Sequence, residues 1–302
     1  MEPATAQFPA MGTEVEIIAL PDLPPSLVAD VRAWFETVEA CLSRFRPESE
    51  LSRLNASAGE PFPASPLLST VLGQALKAAR ASGGRFDPTI LDSLEAGGYR
   101  CALEAIGDVV EARPTVTPPD YRQVSLRRDG TVILRKGARL DLGGFAKGWT
   151  VDQSAALMQS CPSWIVNAGG DLLAVGPGSD GNGWLVGIED PRRPDRDIGG
   201  IRVRDMAVAT STTARRRWLT TTGWAHHLID PATGLPAASG LLSVTVIAPS
   251  VAAAEVLAKT VFLMGAEAGL PYVEAKSGFG AVFLPEQGEA IWSRAMEDRR
   301  EY

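Results

Sequence analysis

The sequence predicts an α+β fold, in which strands paired by hairpins are interrupted by a few long helices, and three observations predict it. Short segments alternate apolar and polar residues or are rich in β-branched ones, as in Thr13-Glu-Val-Glu-Ile-Ile18 and Leu241–Ala248. Longer segments carry apolar residues at helical spacing, as in Leu27, Val31, Trp34, Phe35, Val38 and Leu42. The two kinds do not alternate with the regularity of a doubly wound parallel sheet. At 302 residues the chain is long enough for one domain of two intimately packed lobes, and residues 1–302 read as that single unit.

In chain order, the 13–18 strand is followed by the Leu27 to Leu42 helix, with Asp22-Leu-Pro-Pro as the stop between them. Residues 43–55 are polar, with Pro47 inside, and read as a turn plus a short element. Leu67, Leu68, Val71, Leu72, Ala75, Leu76 and Ala79 give a second amphipathic helix, ended by Gly83-Gly84. Residues 92–120 are weakly periodic and hold several Gly and Pro, so they read as a variable excursion without a domain boundary. Val124-Ser-Leu126 and Thr131-Val-Ile-Leu134, joined across Asp129-Gly130, make a hairpin signal. An apolar strand then runs into Gly143-Gly144 and Lys147, with an amphipathic segment ending near Cys161. After it come the strand 164–166 with its glycine turn, the strand 184–188, a charged loop 190–197, and short strands around Ile201 and Val208. Leu241–Ala248 is a strand, residues 251–265 a helix, and 281–284 with 290–292 a closing hairpin.

Bulk properties exclude several classes. A net charge of −7 and no basic arm argue against nucleic-acid or anionic-membrane binding. No apolar run approaches the roughly 18 residues of a membrane span. Residues 1–10 lack a charged and an apolar region, so no signal peptide is visible and the sequence as it stands reads as soluble and cytoplasmic; an exported protein whose signal had been removed would read the same way. Cys41, Cys101 and Cys161 are odd in number and widely spaced, which suits buried free thiols better than a disulfide framework or metal site. There is no nucleophile elbow and no His-rich metal spacing.

Four constellations carry chemistry. Asp141-Leu-Gly-Gly-Phe-Ala-Lys147-Gly148 is neither a P-loop nor a dinucleotide fingerprint, because the glycine spacing differs and no Ser or Thr follows Lys147. It reads either as a tight turn with a solvated lysine or as a phosphate cradle of exposed amides and one cation. Asn167-Ala-Gly-Gly-Asp171 is turn chemistry, or a pair of side chains held toward a ribose or pyrophosphate. Thr210-Ser211-Thr212-Thr213 precedes Arg215, Arg216 and Arg217, which suits a capped helix start or a polyanion site. His227-Leu-Ile-Asp230-Pro231-Ala-Thr-Gly234 places a histidine, the commonest general base, before a turn.

Together with Met11-Gly-Thr13, Ser43 to Asn55, Phe86-Asp-Pro-Thr-Ile90 and Trp184 to Pro191, these segments in this order resemble the ApbE family, the FAD:protein FMN transferases. The resemblance implies an α+β fold related to the T-fold type, with mixed and antiparallel sheets, long helices and FAD in a cleft between two lobes. It implies Met11 against the isoalloxazine ring and Asn55 near the flavin end. Lys147 would face the pyrophosphate, Asp171 and Glu189 would lie toward the adenosine, and Thr210 and Ser211 would bond phosphate or flavin groups. His227 would accept the proton of an incoming hydroxyl. The implied reaction passes FMN to a Thr or Ser hydroxyl of a partner flavoprotein and releases AMP, with magnesium neutralising pyrophosphate charge.

This chain departs from the family at the metal. The family usually has Asp and, four residues later, Thr facing the ion; alignment on Phe262 and Gly265 puts Glu255 and Lys259 there. A protonated lysine has no lone pair for a metal. Lys259 therefore either replaces the ion as a fixed charge, swings out of an altered Mg2+ site that keeps Glu255 as a ligand, or forms a surface salt bridge with Glu255. A second departure is Thr212 where the family commonly has Gly. The alternatives to transfer are a pyrophosphatase cutting FAD to FMN and AMP, and a flavin or nucleotide binder without turnover.

Overall fold

The computed structural model describes residues 2–57, 59–113, 118–135 and 137–301. Its helices and antiparallel ladders make an α+β fold, as the irregular order of strand and helix signals predicts. The chain divides into two compact units. Met1–Glu36, Lys147–Thr212 and Ser239–Tyr302 form the first; Thr37–Ala146 and Thr213–Ala238 form the second.

The first unit is built on an eight-stranded sheet whose strands lie side by side in chain order: Ala4–Ala10, Thr13–Leu20, Ser163–Ala168, Asp171–Val175, Met206–Thr212, Leu241–Ala248, Gly280–Pro285 and Ile291–Trp292. Met11-Gly12 joins the first two strands and Gly169-Gly170 the next two. All four of these loop residues have positive φ, the pattern of hairpin turns whose twist matches that of the strands. Gly169 is required twice over, since a Cβ there would also collide with Thr13 Oγ1.

Strand alternation puts Leu172, Ala174, Val208, Ile247 and Val282 on one face of this sheet. They are buried against Trp184, Ile188, Ile201 and Val203 of a three-stranded sheet formed by Trp184–Asp190, Arg193–Val203 and Arg300–Glu301. Leu173, Ala207, Ala209, Val244 and Val246 are buried on the other face, and the Val251–Glu274 helix packs against the same strands. Each such side chain contributes about 1.5–3 kcal/mol when large and fully buried. The helix expected over 251–265 breaks at Gly265, where φ is 72° and ψ 169°, and a second helical stretch runs on to Glu274.

In the second unit, Ser49 and Ser65 cap the helices Glu50–Ala56 and Pro66–Ala81 by accepting the N–H of Ser52 and Leu68 at 3.0 and 3.2 Å. The Asp129-Gly130 hairpin forms as expected. A separate core gathers Leu94, Tyr99, Trp218, Ala225 and Ile229, with Leu103, Ile106 and Val110 against it. Trp218 Nε1 donates to Gly97 O at 2.7 Å, and its ring stacks on Tyr99 at 5.1 Å. Much of the 92–120 stretch therefore packs into this core; its residues 114–117 lie outside the described ones.

Several expectations are corrected. The charged stretch 190–197 is mostly strand, because Asp190 folds a tight turn by accepting the N–H and Nε–H of Arg192 at 3.0 and 2.9 Å, after which Arg193–Val203 pairs back. Arg217 opens a hairpin, Arg217–Thr220 with Gly223–His226, and not a helix. Ala4–Ala10 is an edge strand absent from the sequence expectation; its burial alternates, but on small alanines with Phe8 as the one fully buried residue. All three cysteines are free, but only Cys161 is fully buried. Among the described residues no helix is long and apolar enough to cross a membrane.

Candidate active site

The expected strand before Gly143-Gly144 is absent: residues 138–142 belong to no ladder. Side chains hold them instead. Asn55 Nδ2 donates to Leu140 O at 2.9 Å while its Oδ1 accepts the Leu140 N–H at 2.7 Å. Asp141 Oδ1 accepts the Gly143 N–H at 2.8 Å, closing an Asx turn, and its Oδ2 lies 2.7 Å from Arg44 Nε. This turn leads into the Ala146–Ser154 helix.

In the first unit Lys147 occupies the first turn of that helix, an end where the backbone's partial charges disfavour a cation. The Asp171 carboxylate compensates. Lys147 Nζ pairs with Asp171 Oδ2 and donates to Ala168 O at 3.0 Å, with both charged side chains buried. The other oxygen, Asp171 Oδ1, accepts the Thr210 N–H at 3.0 Å. It replaces a ladder bond, because pairing between the Asp171–Val175 and Met206–Thr212 strands stops at Val208. Thr210 Oγ1 is 2.9 Å from Thr245 Oγ1.

Glu255 and Lys259 stand together on the Val251–Glu274 helix. Glu255 is buried, with Oε1 3.1 Å from Lys259 Nζ and Oε2 accepting the Gly148 N–H at 3.2 Å. Burial would raise its pKa. The charges of Lys259 and Lys147, with the hydrogen bonds from Lys259 and Gly148, outweigh burial and hold it below the usual carboxylate range. Gly148 is glycine because a Cβ would lie 2.8 Å from Glu255 Oε2 and 3.0 Å from the Val251 carbonyl carbon. Asp152, one turn further along, accepts the N–H groups of Val251 and Ala252 at 2.7 and 3.0 Å. Burial pushes its carboxyl up to about 6 despite those two bonds, and the charge of Glu255 adds to the rise. Asp152 and Ser250 thus take the amides that open the long helix.

These residues do not fit a divalent ion. Magnesium requires oxygen ligands in near-octahedral array; the Lys259 ammonium beside Glu255 offers none and repels a cation, and among the described residues no three His, Cys, Asp or Glu side chains gather to hold an ion.

Of the remaining candidates, Met11 sits at a turn tip with φ 52°, a conformation costly for a non-glycine residue. Glu189 lies where the ladder's register shifts on both sides of it. Thr210 is exposed, whereas Ser211, on the opposite face of the strand, is buried. In the second unit His227 Nδ1 is 3.4 Å from Arg216 O, which also accepts the His227 N–H at 3.2 Å. A carbonyl only accepts, so in the neutral ring this contact favours the tautomer with the proton on Nδ1. Sequence reading brought out Lys147, Asp171, Thr210, Glu255 and Lys259, which the first unit gathers, and it missed Asp152 and Thr245. The signal for Asp152 was its i, i+4 spacing from Gly148, which puts both on one helix face.

Comparison with known proteins gives a consistent likeness. The profile of the ApbE family matches residues 11–283. The FAD:protein FMN transferase of Treponema pallidum (strain Nichols) is 31% identical over 297 residues, covering 90% of this chain and 82% of that protein. The crystal structure of the ApbE protein from Thermotoga maritima superposes with a TM-score of 0.90 over 100% of both chains at 25% identity. The flavin transferase ApbE from Vibrio cholerae gives 0.80 at 27% identity, over 98% of this chain and 99% of that one.

Proposed function

Since the chain belongs to the ApbE family, we propose that it moves the FMN half of FAD onto a Ser or Thr hydroxyl of a partner flavoprotein and releases AMP. The observation that carries this reading is the near end-to-end likeness to a relative named for that activity. In this reaction the acceptor oxygen bonds to the FMN phosphorus as the bridging P–O bond breaks. The hydroxyl proton passes to His227 Nε2, and AMP leaves with the electron pair.

The work of the protein is alignment and charge stabilisation, as in other phosphoryl transfers. Lys147, fixed by Asp171 and Ala168 O, faces the pyrophosphate. The exposed Thr210 hydroxyl bonds a phosphate oxygen, while the buried Ser211 supports the strand beneath it. Met11 packs on the isoalloxazine from its strained turn, and Glu189 and Asp171 lie on the adenosine side. Asn55 acts through Leu140, which its amide holds from both sides.

The test is incubation of purified protein with FAD, with and without a Ser/Thr acceptor peptide, following AMP by chromatography and flavin on the peptide by mass. AMP that depends on the acceptor, with a flavinylated peptide, is the expected result. AMP without acceptor dependence would mean hydrolysis, and bound flavin without AMP a binder. His227→Ala should lower AMP release by about 10²–10⁴-fold while leaving FAD affinity intact; an equal loss of affinity would assign His227 to binding.

A further inference from the structure

We propose that the Lys259 ammonium, held by Glu255, stands where the family places a divalent ion, so that FAD binding and FMN transfer in this chain proceed without Mg2+. The inference rests on the transferase reading and adds to it the nature of the charge that meets the pyrophosphate.

Glu255 is 4% exposed, and both its oxygens have donors, the Lys259 ammonium at 3.1 Å and the Gly148 N–H at 3.2 Å. A metal bound to this carboxylate would lie beside the Lys259 ammonium, a like charge 3.1 Å from one of its oxygens. Lys259 also differs from its neighbours in access. Its side chain is 19% exposed, against 5% for Glu255, 9% for Lys147 and 8% for Asp171. An ammonium has three donors, and among the described residues Glu255 takes one. The others are available to pyrophosphate oxygens. Lys147 and Lys259 balance Asp171 and Glu255, so the cluster supplies oriented N–H donors without a net cation. The bond changes are those already given: the ammonium binds phosphate oxygens and is not consumed.

The experiment measures FAD affinity by flavin fluorescence, and AMP release, in EDTA and in millimolar Mg2+, with Mn2+ as a paramagnetic probe of ion binding. For the wild-type protein the expected result is less than about a twofold difference between buffers, under 0.5 kcal/mol, and no stoichiometric Mn2+. Glu255→Asp with Lys259→Thr, which restores the family's pair, should gain about tenfold or more in AMP release from Mg2+ and bind Mn2+. Lys259→Met should lose about tenfold in FAD affinity in both buffers, the worth of a charge-assisted hydrogen bond, and Lys259→Arg should keep metal independence. Thermal melting controls for folding, and the wild-type arm needs no variant. A wild-type protein that loses affinity or AMP release tenfold in EDTA and recovers with Mg2+, or that binds Mn2+ stoichiometrically, overturns the inference while leaving the transferase reading intact. Absence of flavin binding in every buffer overturns the transferase reading and this inference with it.

Discussion

Lys147 and Asp171 are each legible in the sequence as candidates, but their pairing is not. They are separated by 24 positions, and what joins them is the glycine hairpin that returns the chain beside Ala168. A turn signal gives the bend, while its register depends on strands elsewhere in the sheet. The same limit applies to Thr210 and Ser211, adjacent in sequence but on opposite faces of a strand whose place in the sheet the motif does not reveal. Because Lys147 and Asp171 are both buried, breaking the pair should be costly. Lys147→Met leaves an uncompensated carboxylate and should lower stability by about 3–5 kcal/mol. Combining it with Asp171→Asn should recover much of that loss, since no charge then remains to be desolvated. Thermal unfolding of the two singles and the double measures the coupling; a double variant no more stable than Lys147→Met would mean that the pair is solvated.

At the level of elements, legibility followed how much of the determining physics is local. The Asp129-Gly130 hairpin and the helix stop at Gly265 were readable because a positive φ at one glycine decides each. Ala4–Ala10 is not, because its alternation rests on alanines with Phe8 as the one large buried side chain and Pro9 within it, and the first half of Arg193–Val203, ahead of the strand read around Ile201, is not, because its exposed charges resemble a loop. The contact between the Ala146–Ser154 helix and the start of the Val251–Glu274 helix, which seats Glu255, depends on Gly148 and Asp152 together. It carries a pH signature. The Asp152 carboxyl is raised from 3.8 to about 6 in the folded chain, chiefly by burial. Its stabilising contribution is therefore present while both states hold the proton, below about pH 4, and is lost as pH rises through about 6. Asp152→Asn has no such proton, so the melting temperature of the wild type minus that of the variant should fall between pH 4 and pH 7. A flat difference would mean that the carboxyl is hydrated and not desolvated by the helix contact.

For the whole molecule, the α+β class follows from the order of strand and helix signals and two lobes are expected, whereas the points where the chain crosses between its two units are not legible. The chain passes between units at residues 36–37, 146–147, 212–213 and 238–239. The first two crossings fall within the Pro25–Leu42 and Ala146–Ser154 helices, where no linker composition exists to be found. Net charge is the property of the whole chain that sequence does give directly, and at −7 it opposes the approach of an anion. FAD carries a pyrophosphate, and the cluster of Lys147, Lys259, Asp171 and Glu255 offers no net positive field to draw it in. Long-range repulsion should then dominate the encounter at low salt. Raising ionic strength from 0.01 to 0.15 M shortens the screening length from about 30 to about 8 Å, so the FAD association rate constant should rise, by about two- to threefold. Stopped-flow flavin fluorescence gives that rate directly. A rate that falls with salt would instead show that a local cationic field, with Arg215, Arg216 and Arg217 as its source, outweighs the charge of the whole chain.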